Sequence, residues 1–130
     1  KDSTYNIFEE LKLENFSILP GSETKLIKGL KMGCSGIITA TCNVSAELSR
    51  KVYDDFITDK STTDNQKLCA VREAFDKYNL ISGLHSYYST KDKIYKNILP
   101  PLSLLEQNDF HDLIKNLSAL NFKSNSLIVA

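Results

Sequence analysis

Residues 33–44, GCSGIITATCNV, are the segment that says most about the architecture of this chain. Its centre is rich in β-branched residues, which suit a pleated strand. Because this run is continuously apolar or small and does not alternate, it predicts a strand over residues 36–40 that is buried on both faces, as in a parallel sheet. Asn43 or Ser45 is the expected N-cap of a helix that follows over residues 46–57.

The residues before this stretch predict two more helices and one more strand. A helix over about residues 4–13 and a short strand over residues 16–19 come first. Pro20-Gly21 breaks the strand, and a helix over residues 24–32 follows, with Gly33 as its C-cap. Helices and strands that alternate with short connections imply a parallel sheet with right-handed crossovers, so the predicted fold class is α/β.

The second half of the chain predicts helices, apart from a short strand over residues 127–129. Three groups of apolar residues recur at helical spacing and give each helix one buried face. They are Leu48, Val52 and Phe56; Leu68, Val71, Phe75 and Tyr78; and Phe110, Leu113, Ile114, Leu117 and Leu120. The middle helix is expected to end near Ser82-Gly83, and a less regular helix follows until Pro100-Pro101 stops it. We therefore expect one part over residues 1–60 and a helical part over residues 61–130.

The composition is that of a globular protein without a basic face. Sixteen Lys and Arg balance sixteen Asp and Glu among 130 residues, so nothing predicts nucleic-acid binding. The three cysteines include no C-x-x-C pair, which indicates reduced thiols and no zinc site. The sequence shows neither a signal peptide nor a long apolar span, so we expect a cytoplasmic protein outside the membrane. It starts at Lys1 without Met, which predicts a segment of a longer protein.

Three places follow the expected strands, and sites in parallel α/β proteins gather at such carboxyl ends. They are Lys1, Gly21-Ser22-Glu23 and Ile38-Thr39-Ala40. Desolvation in an apolar mouth lowers the pKa of a lysine and leaves a neutral amine, which is the nucleophile that forms an imine with a carbonyl compound. Gly21 allows a ligand to approach the backbone, and the amides of Ser22 and Glu23 can receive a carboxylate.

Each of these places also has a purely structural interpretation. Lys1 can be a solvated terminal lysine, Gly21-Ser22 can form a turn and a helix cap, and Ile38 can belong to the core. The tyrosines at positions 87, 88 and 95 are expected to pack, with an interface role as the alternative. The histidines at positions 85 and 111 have no ligand partners at suitable spacing. The sequence contains no Ser/His/Asp order, no phosphate-binding glycine loop and no metal motif.

The blocks around these strand ends resemble the carboxyl-terminal half of the dihydrodipicolinate synthase / N-acetylneuraminate lyase family. In that family the sixth strand ends in a lysine before an acidic or small polar run, as in Lys1-Asp2-Ser3-Thr4. The seventh strand ends in glycine before one or two acidic residues, as in Gly21-Ser22-Glu23. The eighth strand reads G-x-x-G-x-I-[ST]-x-T-x-N-[VL], which residues 33–44 match. The spacing between the blocks agrees as well, and the resemblance covers essentially the whole chain.

The resemblance implies a fold, an activity and a set of site residues. The fold is the C-terminal portion of a TIM (β/α)8 barrel, strands 6 to 8, over residues 1–60, followed by a helical domain over residues 61–130. The activity is that of a pyruvate-dependent class I aldolase, a homodimer or homotetramer that acts on a 2-keto acid and an aldehyde without a metal or cofactor. Lys1 is implied as the Schiff-base lysine, and the backbone around Ile38 as part of the pyruvate pocket. Positions at which some members contact the second substrate are Ser3, Gly21, Glu23, Thr39 and Ala40.

The sequence departs from the family pattern in two places. Members that make dihydrodipicolinate usually have N-P-x-P-x-K between the C-terminal helices, whereas residues 84–90 read LHSYYST here. The eighth strand has Thr39-Ala40-Thr41-Cys42 where those synthases usually have S-V-[TS]-A. Both departures weaken a dihydrodipicolinate synthase and favour a sugar-acid aldolase, such as a 2-keto-3-deoxygluconate aldolase or an N-acetylneuraminate lyase, or another relative.

Two hypotheses from other functional classes stay open. One is a non-catalytic barrel relative, in which Lys1 binds or packs and the helical part serves assembly or regulation. The other is an independent helical interaction module that folds alone. The family's proton-shuttling tyrosine and the hydroxyl-rich turn that holds the pyruvate carboxylate belong to earlier strands, so this segment by itself is not expected to catalyse a reaction.

Overall fold

The structure, a computed structural model, describes residues 14–124, which contain five α-helices. They are α1 (Leu26–Lys31), α2 (Cys42–Ile57), α3 (Asp64–Asp76), α4 (Leu80–Tyr88) and α5 (Gln107–Ala119). Two 3-10 turns, Glu23–Lys25 and Lys93–Lys96, precede α1 and α5. Lys1, Ser3, the helix expected over about residues 4–13 and the strand expected over residues 127–129 lie outside the described residues. None of the helices described here is long and apolar enough to cross a membrane.

The two strands expected over residues 16–19 and 36–40 are extended segments instead, and no strand is formed within residues 14–124. The segments run side by side and in parallel, since the Ser35 amide donates to the Ile18 carbonyl and the Ile38 amide donates to the Pro20 carbonyl. Pro20 has no amide hydrogen to return, which removes one bond of the ladder. The two donors are three residues apart instead of two, with Gly36 at φ 151° between them. The prediction of regular strands is therefore not met, for these two local reasons.

Gly33 ends α1 as predicted. It has a φ of 90°, a conformation that glycine adopts without strain. Its amide donates to the Leu30 carbonyl at 3.0 Å, and the Cys34 amide donates to the Gly29 carbonyl at 2.9 Å. These two bonds form a Schellman motif, which satisfies the last carbonyls of the helix.

Helix α2 begins four residues earlier than predicted. Its N-cap is Thr41, with a φ of −69°, and its first residue is Cys42. Asn43 and Ser45 were expected as caps, but both lie inside the first helical turn. Asn43 donates its side-chain amide to the Ala40 carbonyl at 2.9 Å.

The boundary between α3 and α4 also differs from the prediction. The chain was expected to leave the helix near Ser82-Gly83, yet α3 ends at Asp76 and α4 begins at Leu80. The Asn79 side chain caps α4 by accepting the Ser82 amide at 3.1 Å. Gly83 therefore lies inside α4, where it lets the helix approach α3: a Cβ at this position would lie 3.3 Å from Phe75 Cδ1.

The apolar faces predicted for α2, α3 and α5 are confirmed, and they form two buried clusters. The larger cluster consists of Val44, Val71, Ala74, Phe75, Leu84, Tyr87, Tyr88, Leu113, Leu117 and Phe122. The smaller cluster consists of Leu26, Leu30, Val52 and Leu68. Both clusters contain residues from either side of residue 60, so α2 and α3 hold the two halves of the described chain together. The division of the chain at that residue stays a prediction.

Candidate functional site

A buried polar cluster joins the extended segments to α3. It consists of Glu23, Thr39, Thr41, Ser45 and Arg72, and we call it the Glu23 cluster. Glu23 is fully buried, and Arg72 is 6 % exposed. Glu23 Oε2 lies 3.2 Å from Arg72 Nη1. The carboxylate also accepts the hydroxyls of Thr39 at 3.0 Å and Ser45 at 3.2 Å. A carboxylate can be buried here because a cation and two hydroxyls replace the water that it loses.

The two threonines of the cluster connect the arginine to the carboxylate. Arg72 Nη1 donates to Thr39 Oγ1 at 3.0 Å and to Thr41 Oγ1 at 3.2 Å. Because Thr39 gives its only hydroxyl proton to Glu23, the 2.9 Å contact between the threonine hydroxyls is donated by Thr41. The Thr41 amide adds a bond to Thr39 Oγ1 at 3.2 Å. The turn that begins α2 is therefore fixed from the side of α3.

Arg72 reaches the cluster from the buried face of α3. It follows Leu68 by four residues and precedes Phe75 by three, so it lies on the same stripe as these core residues. The guanidinium also donates through Nε, its nitrogen nearest the backbone, to Asp76 Oδ1 at 2.8 Å. Burial lowers the pKa of the guanidinium, but the hydrogen bond and charge of Asp76, together with Glu23, outweigh it and place the pKa above its usual value. Sequence reasoning missed Arg72, although a charged residue inside an apolar helical stripe is a signal that could have identified it.

Two thiols lie close to the Glu23 cluster. Cys42 Sγ lies 3.4 Å from Ser49 Oγ. Burial is the largest cause that raises the pKa of the Cys42 and Cys69 thiols, and the negative charge of Glu23 raises both further. These thiols are free and held in their protonated form, as expected for structural cysteines. Within residues 14–124, no group of three or more His, Cys, Asp or Glu side chains is placed to hold a metal ion.

The residues predicted to contact substrate divide into three groups in the structure. Gly21 lies beside the backbone of Ile38, since a Cβ on Gly21 would lie 3.9 Å from the Ile38 carbonyl oxygen. The Ile38 side chain is 70 % exposed. Glu23 and Thr39 face each other inside the Glu23 cluster. Ala40 borders a separate cavity. The contacts of all five residues with substrate stay predictions.

This cavity, which we call the Ala40 cavity, has a volume of about 190 Å³. It lies between the start of α2, α4 and the 3-10 turn Lys93–Lys96. Its lining residues are Ala40, Asn43, Ile81, Leu84, His85, Tyr88 and Tyr95. The rings of Tyr88 and Tyr95 lie 5.0 Å apart and are tilted by 32°. The two tyrosines were predicted to pack, and the structure adds that they border, together with His85, a space large enough for a small molecule.

Comparisons with known proteins give one family. The model of the dihydrodipicolinate synthetase family matches residues 2–120. No curated protein matches the chain by sequence.

Several solved structures have a similar fold. The dihydrodipicolinate synthase of Thermotoga maritima is 16 % identical, with a TM-score of 0.72, over 82 % of this chain and 37 % of that one. The dihydrodipicolinate synthase of Agrobacterium tumefaciens is 20 % identical, with a TM-score of 0.69, over 88 % of this chain and 38 % of that one. YagE, a prophage protein of the dihydrodipicolinic acid synthase family from E. coli K12, was solved with pyruvate. It is 18 % identical, with a TM-score of 0.65, over 83 % of this chain and 38 % of that one.

These structural neighbours are (β/α)8-barrel proteins, and at such identities the likeness concerns the fold alone. The chain spans less than two fifths of the length of each of them.

Proposed function

The chain belongs to the dihydrodipicolinate synthetase family, and we propose that the protein containing it is a pyruvate-dependent lyase or synthase that works through a Schiff base. The family match over residues 2–120 is the observation that carries this proposal. The resemblance of residues 33–44 to the family's eighth strand supports it, and so does the similarity in fold to a family member that binds pyruvate. Within the family, the departures in sequence favour a sugar-acid aldolase over a dihydrodipicolinate synthase.

In the proposed reaction, Lys1 is the nucleophile. Its neutral amine adds to the C2 carbonyl of pyruvate, and uptake of one proton with loss of water gives an iminium. Removal of a proton from C3 gives an enamine, whose C3 bonds to the carbonyl carbon of an aldehyde while the aldehyde oxygen takes up a proton. Water then hydrolyses the iminium and releases the 2-keto acid product and free Lys1. Cleavage follows the same steps in reverse.

The described residues would supply the surroundings of this chemistry. The backbone of Ile38 is assigned to the pyruvate pocket, and Gly21 beside it leaves room for the substrate to approach. Glu23 and Thr39 are assigned a supporting role, because their polar atoms are already bound to each other and to Arg72. We propose that they hold the turn before α2 in the position that the pocket requires. Ser3 and Ala40 are assigned to contacts with the second substrate.

Borohydride reduction in the presence of pyruvate tests this proposal on the full-length protein. We expect a stable adduct on Lys1, located by peptide mass spectrometry, and loss of both the adduct and the activity in Lys1→Arg. Lys60→Arg, at an exposed loop position, is the matched control and should keep both. Aldolase activity without an adduct on Lys1 would refute the mechanism. A protein with neither adduct nor activity would instead be the non-catalytic barrel relative.

We also propose that the full-length protein is a cytoplasmic homodimer or homotetramer, in which residues 1–60 complete a barrel and residues 61–130 form a helical domain. The family resemblance supports the assembly and the domain division, and the three free cysteines support a reducing compartment. Light scattering of the purified full-length protein measures the assembly, and a monomer would contradict it.

A further inference from the structure

We propose that Arg72 is a positioning residue for pyruvate binding, which holds the peptide unit between Ile38 and Thr39 in place from α3. This role rests on the proposed function, because the peptide unit belongs to the pyruvate pocket only in the proposed reaction. It gives α3 a part in the site itself, whereas the family resemblance assigns no site residue beyond Ala40.

The backbone of Ile38 is held by hydrogen bonds and not by its own side chain. Within residues 14–124, that side chain is 70 % exposed, so it adds little packing. On the amino side, the Ile38 amide donates to the Pro20 carbonyl at 3.1 Å. On the carboxyl side, the next side chain, Thr39, enters the Glu23 cluster. The Ile38 carbonyl, which lies beside Gly21, is therefore fixed between two anchors.

Thr39 links the position of Arg72 to this peptide unit. Its Oγ1 accepts from Arg72 Nη1 at 3.0 Å and from the Thr41 amide at 3.2 Å, and it donates to Glu23 Oε2 at 3.0 Å. Threonine is branched at Cβ, so few side-chain rotamers are open to it. Because the peptide unit before Thr39 is planar, a fixed Oγ1 restricts the Cα of Thr39 and, through it, the direction of the Ile38 carbonyl.

Arg72 can act as an anchor because its own side chain is held at both ends. It lies on the face of α3 that carries Leu68 and Phe75, both fully buried. Its Nε is bound to Asp76, and its Nη1 contacts three oxygens of the Glu23 cluster. A guanidinium presents its donors in one rigid plane, so these contacts define where the bound threonine hydroxyls lie.

A positioning role and a purely stabilising role of Arg72 predict different changes in pyruvate binding. Loss of stability lowers the fraction of folded protein, but each folded molecule keeps its affinity for pyruvate. Loss of positioning leaves folded molecules in which the pocket wall is displaced. Since a displacement of about 1 Å can cost on the order of a hundredfold in rate, a partial release of the wall should raise the half-saturating pyruvate concentration about tenfold.

Borohydride trapping with pyruvate alone, in the full-length protein, separates the two roles. The yield of adduct on Lys1, measured against pyruvate concentration, gives a half-saturating concentration and a maximal yield. We expect Arg72→Lys and Thr39→Val to raise the half-saturating concentration about tenfold. Lysine keeps the charge of arginine without its planar group, and valine has the shape of threonine without the hydroxyl. Thr39→Ser keeps the hydroxyl and should bind pyruvate as wild type does.

Gly83→Ala is the matched control, because its Cβ would press on Phe75 in the core and lies outside the Glu23 cluster. It should lower the maximal yield at most and leave the half-saturating concentration unchanged. An unchanged half-saturating concentration in Arg72→Lys or Thr39→Val, an equal rise in Gly83→Ala, or no recovery in Thr39→Ser would overturn the positioning role. Each of these results, with a trapped wild-type adduct, leaves the proposed function standing, whereas a wild-type protein that traps no pyruvate refutes both.

Discussion

Replacing Arg72 by methionine should strongly destabilise the protein, because the buried carboxylate of Glu23 would lose the cation that contacts it within residues 14–124. Methionine fills much of the same space on α3 but donates no hydrogen bond. The carboxylate, which is fully buried, would be left with the hydroxyls of Thr39 and Ser45.

The size of the effect follows from these contacts. Breaking a buried ion pair from one side costs about 3–5 kcal/mol, since the remaining charge stays desolvated. Glu23→Gln should cost less, about 1–2 kcal/mol, because Arg72 keeps its 2.8 Å bond to Asp76, whose side chain is 46 % exposed. The double variant removes both charges, so it should be about 2 kcal/mol more stable than the sum of the two single effects predicts.

Urea unfolding of the full-length protein, followed by circular dichroism, measures all three variants. The midpoint and the slope are compared, since an unchanged slope shows that the variants alter stability and not the extent of unfolding. Arg72→Lys is the control that keeps the charge but not the planar group, and it should lie between wild type and Arg72→Met. A loss below about 1 kcal/mol for Arg72→Met, a larger loss for Glu23→Gln than for Arg72→Met, or strict additivity would show that the Glu23–Arg72 ion pair does not stabilise the fold in this way.

Three further changes test the helix packing, the cap and the thiols. Alanine at Gly83 would favour the helix by about 1 kcal/mol, but its Cβ would press on Phe75 inside the core, so Gly83→Ala should lower stability by about 1 kcal/mol. A higher urea midpoint would contradict this expectation. Gly33→Ala should cost about 1–2 kcal/mol, because it places a Cβ at φ 90°, and Gly33→Asn should cost less, as read from Tm. The raised pKa values of Cys42 and Cys69 mean that the folded protein holds protons that the unfolded chain releases above pH about 8.5. Stability from this source is fully present below that pH and is lost as the pH rises above it, so Tm should fall less between pH 8 and pH 10 in Cys42→Ser than in wild type.

The sequence was sufficient for features that depend on neighbouring residues. The spacing of Leu113 and Leu117 identified the buried face of α5, and both residues are buried. Gly33 was identified as a cap because the end of a helix often needs a residue with positive φ, and glycine adopts that conformation whatever its neighbours are. The helix boundaries were less accurate, because the caps Thr41 and Asn79 compete with other polar residues near them.

The extended segments and the candidate site show what local patterns leave out. The β-branched run before α2 favours an extended backbone. A strand also needs a neighbouring segment that completes the hydrogen-bond ladder, and Pro20 and Gly36 interrupt that ladder. Glu23 and Thr39 were recognised as candidate site residues from their place after the expected strands. Arg72 was missed because it lies 49 positions from Glu23 in sequence, and no spacing rule links two residues so far apart.

The separation of 49 positions between Glu23 and Arg72 also constrains how the protein folds and unfolds. Until α3 has docked, Glu23 must keep its hydration, because a dry carboxylate without Arg72 costs several kcal/mol. The turn before α2 and the middle of α3 therefore become ordered in one cooperative step and melt in one step, as a single foldon. In native-state hydrogen exchange, the Thr41 amide and the amides of α3 should share one opening free energy. The buried Glu23–Arg72 pair therefore allows no stable intermediate in which α3 is only partly docked. The turn before α2 reaches its native, buried state only when α3 has packed against it.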